Sequence, residues 1–136
     1  MNFPMRLARG LRIHRKKEDG TVSVEFVLWM PLFMVILALA IDASLLFMSQ
    51  SNYWSVSRDT ARLVARHAMD GPTAKAYAEM RAGSFFGQPQ ATVEYGASTV
   101  TVTLSAPAQS ILLFDGMGFA RGMDINARIT QALEPI

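Results

Sequence analysis

The chain has no cysteine, which removes at once a disulfide framework, a thiolate nucleophile and any zinc site built on sulfur. Whatever folds outside the cytoplasm must therefore be held by packing alone. Histidine is nearly as scarce, with His14 and His67 the two imidazoles. His14 sits in a basic leader argued below to be removed, which leaves His67 alone, too little for a histidine zinc site and a poor basis for a Ser-His-Asp triad. His67 reads instead as a helix-end residue beside Arg66, facing the negative end of the helix dipole. No cofactor, no metal and no catalytic activity are expected.

Charge is unevenly spread. Arg6, Arg9, Arg12, Arg15, Lys16 and Lys17 oppose Glu18 and Asp19, so residues 1–20 carry +4, and the chain total of +2 leaves −2 for the remainder. Such a tail could meet phosphates, but no aromatic residue is interleaved among its charges and an apolar run follows at once, so nucleic acid is not expected as a partner. Membrane topology accounts for it better.

From Phe26 to Ile41 no residue is polar, and after Asp42 the run resumes through Met48. At about 1.5 Å per residue this is more than enough to cross a hydrocarbon core of about 30 Å. The cationic cluster upstream sets the N-terminus in the cytoplasm and the C-terminus outside. A cleaved secretory signal fits less well, because its apolar core would be shorter and Ala43-Ser44-Leu45 makes a weak cleavage site. Asp42 falls about 24 Å along the axis from Phe26, near the outer interface, where an acid is cheap and could pair with a neighbouring subunit.

Residues 49–70 contain neither Gly nor Pro, and Tyr53, Val56, Thr60, Leu63, Val64 and His67 recur at helical steps. One helix over about 24–70 is predicted, with Arg58, Arg62 and Arg66 along a solvated edge, and with Asp70-Gly71-Pro72 as its stop, the glycine taking a left-handed cap. Ala74–Ala82 reads as a short helix. The period then changes to two: Val93 and Tyr95, a turn at Gly96-Ala97-Ser98, then Val100, Val102 and Leu104, which is a hairpin signal. Ile125, Ala127 and Ile129 suggest a third strand, after an apolar Ser110–Phe114 stretch and a loop marked by Gly116, Gly118 and Gly122. The expected fold class is α+β. One long N-terminal helix, transmembrane in its first half and amphipathic in its second, carries a small antiparallel sheet head that the amphipathic half covers. The expected division is 1–20 as leader, 21–48 as transmembrane helix and 49–136 as head.

The residues at the start of the apolar run carry the most chemistry. Gly20 follows a charged leader, and a residue without a Cβ lets an extended backbone approach a protease closely. Glu25 stands at the head of the membrane helix, where an unpaired acid costs roughly 2 kcal/mol or more. Cleavage after Gly20 would free the α-amino group of Thr21 as its partner. Gly20, Glu25 and Phe26, then Pro31 within the apolar run, then the stretch Asp59 to Arg66 together resemble the type IV prepilin family. Within it they resemble the TadE-like minor pilins of tight-adherence (Flp-type) pili, best over residues 17–70.

The resemblance implies cleavage between Gly20 and Thr21 by a prepilin peptidase on the cytoplasmic side, with Glu25 and Phe26 serving assembly. It implies a single-pass protein of the bacterial inner membrane, periplasmic at its C-terminus and incorporated into an extracellular pilus, taking part in adherence. Its partners would be the peptidase, other pilin subunits, the inner-membrane assembly platform and the lipid bilayer. Thr21 and Phe26 depart from the usual Phe and Tyr, and some 65 residues follow Asp70, which leans towards a minor subunit. Pro31 cannot donate to the carbonyl of Val27, so a kink or local opening is expected there. Two rivals stand beside this reading: an uncleaved signal-anchored accessory or binding module, and a pseudopilin of a type II secretion system.

Overall fold

A computed structural model describes residues 19–84, 87–115, 118 and 120–135, with the backbone alone for 19–22; residues 1–18 of the expected leader lie outside it. Helix α1 spans Asp19–Ala65 and runs through Pro31 without a break in its assignment. The chain divides into two compact units, Met1–Leu37 and Ala38–Ile136. In the first, every side chain described from Ser23 to Leu37 is exposed, and from Phe26 on the helix is apolar all round, the pattern of a lipid-facing segment.

The second unit begins ten residues before Met48, so the packing boundary does not follow the hydropathy boundary. From Asp42 on, one stripe of α1 turns inward: Asp42, Ser49, Tyr53, Val56, Ser57, Thr60, Ala61, Val64 and Ala65 are buried, with Leu45 and Leu46 half-buried. The spacing of three and four residues is that of one helical face. Leu63 and His67, placed on this face from the sequence, are half-buried and exposed, and Ala61 and Ala65 take the inward positions.

α1 ends five residues earlier than the sequence suggested, and His67, rather than Gly71, takes the left-handed conformation, at φ 59°. The His67 N–H reaches the Val64 carbonyl at 2.9 Å and the Ala68 N–H reaches Leu63 at 2.9 Å, the paired bonds of a Schellman cap. The cause is tertiary. The Glu134 N–H donates to the Ala65 carbonyl at 2.9 Å, and His67 Nε2 donates to the Glu134 carbonyl at 3.0 Å, which fixes the proton on that nitrogen because a carbonyl only accepts. An exposed Arg66–Glu134 ion pair at 3.4 Å lies alongside.

Asp70-Gly71-Pro72 does not stop one helix but starts the next. Helix α2, Gly71–Ala82, is capped by Asp70, whose carboxylate accepts the Thr73 N–H, and it carries Pro72 in its first turn, where a missing N–H costs nothing. Three strands follow: β1 Gln90–Tyr95, β2 Thr99–Pro107 and β3 Asp124–Ala132, antiparallel in the order β1-β2-β3. The registers Val93↔Val102 and Leu104↔Ala127 align the apolar alternation of all three strands on one face. Gly96 closes the hairpin to Thr99 at 2.7 Å.

That face is covered by both helices, whereas the sequence assigned it to the long helix alone. Tyr53 and Val56 of α1, Ala78 and Ala82 of α2, and Ala91, Leu104, Ala106, Ile111 and Ala127 form the larger cluster; Val64, Ala65, Ala74 and Val100 form the smaller. Alanines at these contacts let the layers approach closely. The outer face keeps threonines and a Glu94–Arg128 pair in solvent.

Leu104→Ala in the full chain, in detergent, is expected to lower stability by about 3 kcal/mol, read by denaturant unfolding followed by circular dichroism. Hydrogen bonding from Thr73 holds the Asp70 carboxyl below its ordinary value of 3.8. Its stabilising contribution is therefore present above the unfolded-state pKa and lost as pH falls through the lower folded-state value. The stability difference between wild type and Asp70→Asn should be constant near neutral pH and shrink only in that acid window.

Candidate functional site

Two stations along α1 carry chemistry. The first is its amino end. The Gly20–Thr21 peptide lies in the first turn of the helix, where N–H groups have no partner four residues back. Drawing this bond into an extended conformation therefore costs only the fraying of a helix end. Glu25 is exposed and stands four residues after Thr21, one turn along the same face. Phe26 is 62% exposed, and Pro31 follows within the exposed apolar stretch. α1 also contains an 18-residue window of mean hydropathy 2.4 with none of it buried, and is long and apolar enough to cross a membrane.

The second station was not legible as a site in the sequence. Asp42, a carboxylate within the apolar run, is 1% exposed. Its Oδ1 accepts the N–H groups of Leu113 at 2.9 Å and Phe114 at 3.1 Å, and its Oδ2 accepts that of Asp115 at 3.1 Å. Three successive amides thus converge on one carboxylate, a nest of backbone dipoles. The expectation that Asp42 sits in the open at the outer interface, available to a neighbouring subunit, gives way to an internal bond across some seventy residues of chain. The sequence signal was present, an acid interrupting an apolar run, but its partners are backbone groups and leave no trace in side-chain pattern.

The turn that supplies these amides is itself set firmly. Ala108–Ser110 forms a 3-10 turn, Ser110 Oγ donates to the Pro107 carbonyl at 2.7 Å, and Ile111 is fully buried. Asp115 adopts φ 25°, a conformation uncommon for a side chain with a Cβ, and its bond to Asp42 holds it there.

Further along α1, Asp59, Arg62, Leu63 and Arg66 line a shallow cleft with Tyr77. This cleft includes two members of the arginine edge, and Arg66 is engaged by Glu134. Among the described residues no group of three or more His, Asp or Glu side chains gathers in a metal-binding arrangement.

Residues 20–62 match a protein family described as TadE-like protein. The match takes in Gly20, Glu25, Phe26, Pro31, Asp42 and Arg62, and stops before α2 and the sheet. It shows the likeness to TadE-like proteins over that segment, a little shorter than the 17–70 range drawn from the residues. Neither the curated proteins nor the solved structures hold a match to the chain.

Replacing Asp42 by Ala should leave three part-buried amides without their acceptor and cost about 3 kcal/mol. Hydrogen exchange at Leu113, Phe114 and Asp115 in the detergent-solubilised chain should accelerate by about two orders of magnitude. Asp42→Asn should fall between, since its carboxamide offers one acceptor and turns a donor towards a donor.

Proposed function

From the TadE-like segment over residues 20–62, we propose that this chain is a minor subunit of a tight-adherence pilus. A prepilin peptidase trims it after Gly20 on the cytoplasmic side. The observation that carries the reading is the coincidence of that match with a helix whose apolar first half exposes every described side chain, a surface suited to lipid before assembly and to other subunits after it. The protein spans the inner membrane once, N-terminus in the cytoplasm and head in the periplasm, and the assembly platform passes it into the filament. It acts by binding and not by catalysis.

Cleavage gives Thr21 a free ammonium group at the head of α1. Near lipid, where the dielectric is low, that cation and the Glu25 carboxylate are each costly alone, and pairing recovers much of the cost. Pairing between the Thr21 amine of one subunit and Glu25 of the next would set the axial register of entry. The peptidase reads the leader and the glycine, whereas Glu25 acts only once the amine exists.

The test separates the two steps. N-terminal sequencing of the membrane-extracted protein should begin at Thr21, and the mature form should run about 2 kDa lighter than the 15.0 kDa chain, twenty of its 136 residues being lost. Gly20→Val should block processing. Glu25→Ala should be processed normally but assemble poorly in sheared-pilus preparations, and Glu25→Gln should resemble it if charge dominates. A mature protein that keeps Met1, with normal piliation in both Glu25 variants, would favour an uncleaved signal-anchored accessory module.

A further inference from the structure

Leu113 and Phe114 project 55% and 51% exposed side chains, although the backbone between them and Asp42 is fixed by three hydrogen bonds. Apolar residues this exposed on a turn this well held call for a cover. We propose that the turn formed by Ser110–Asp115 is a second membrane contact, which seats Leu113 and Phe114 in the interfacial layer of the bilayer beside the helix. The proposal rests on the reading of α1 as a membrane span.

Three observations choose lipid as the occupant. The first is level. The turn is bonded to α1 at Asp42, whereas the exposed apolar surface of α1 continues past that residue to Phe47 and Met48, which are 76% and 63% exposed. Six residues of helix rise about 9 Å, so the turn is fastened on the lipid side of the point where the exposed helix surface becomes polar. The second is polarity. Ser110 to Phe114 contain no charge, the one acid of the turn, Asp115, closes it behind the exposed pair with its Oδ1 turned inward and buried, and the Leu113, Phe114 and Asp115 N–H groups are all satisfied by one carboxylate. A backbone segment near hydrocarbon needs that, because water is not there to accept its bonds. The third is the carboxylate itself. An acid within an apolar run is expensive unless its oxygens are bonded, and here the turn supplies three donors. Each partner thereby makes the other tolerable at the membrane surface.

The consequence is orientational. A head joined to the membrane only through its helix is free to rotate and tilt with it, whereas a second contact off the helix axis fixes which side of the head faces the bilayer. Leaving the membrane then requires Leu113 and Phe114 to withdraw as well as the helix.

The absence of cysteine gives a clean background for the test. Single-cysteine variants Leu113→Cys and Phe114→Cys of the full chain, each keeping the other apolar residue, are labelled with an environment-sensitive fluorophore. They are reconstituted in phosphatidylcholine–phosphatidylglycerol vesicles carrying a doxyl-lipid quencher. Met34→Cys reports on the apolar run, and Thr92→Cys on the outer face of the sheet. Labels at 113 and 114 should be quenched roughly threefold or more above the label at 92, as expected of side chains seated at the acyl boundary. Asp42→Ala in the same background should reduce that quenching towards the level at 92. Quenching at 34 with 113 and 114 matching 92 overturns the proposal while the span stands. An unquenched label at 34 overturns the span and the proposal with it. Protection of 113 and 114 that appears only when subunits are crowded together, and not in dilute vesicles, assigns the turn to subunit contact and also overturns it.

Discussion

The constraint on which the molecule depends is that one continuous helix serves two surroundings, and the change between them is made by a stripe rather than by a break. From Phe26 to Leu37, α1 is apolar on every side. Beyond Ala38 it keeps apolar residues on its exposed sides as far as Met48 while one face, from Asp42 to Ala65, becomes the foundation of the head. The sheet, α2 and the turn before Asp115 all pack on or bond to that face, so the head is built directly on the helix with no linker between them.

Asp42 marks where the stripe begins, and it works by exchange. A carboxylate so buried costs free energy unless bonded, and three consecutive amides cost free energy unless accepted. Joining them removes both costs. At the other end of the stripe a similar exchange ends the helix. The orphan carbonyls of its last turn are taken up by His67, Ala68 and the returning chain at Glu134, so β3 closes the head against the place where α1 stops. The two ends of the stripe are thus fastened by segments distant in sequence, and Leu104, Tyr53 and their neighbours fill the space between.

The segment alike to TadE-like proteins ends at Arg62, so the likeness covers most of α1 and most of its stripe and stops before α2 and the sheet. Within the second unit, Asp42 and Tyr53 fasten the turn, the sheet and α2 to the same helix face.

The sequence by itself determined what local rules decide. Alternation at Val100, Val102 and Leu104 and again at Ile125, Ala127 and Ile129 specified strands, because a one-residue slip would expose each apolar set. The unbroken apolar run specified the helix. Only the tertiary structure decided the rest. The inward face of α1 runs through Ala61 and Ala65 rather than Leu63 and His67, because close packing selects small side chains whose hydrophobic signal is weak. The helix ends at a histidine in the left-handed region, because the returning chain at Glu134 bonds both the Ala65 carbonyl and the His67 ring while the His67 and Ala68 N–H groups take up Val64 and Leu63. Asp70-Gly71-Pro72 starts α2 because a proline that cannot continue a helix can equally well begin one. Asp42 is bonded within the chain, because its partners are main-chain amides some seventy residues away, and the backbone donates the same N–H whatever side chain the sequence writes there.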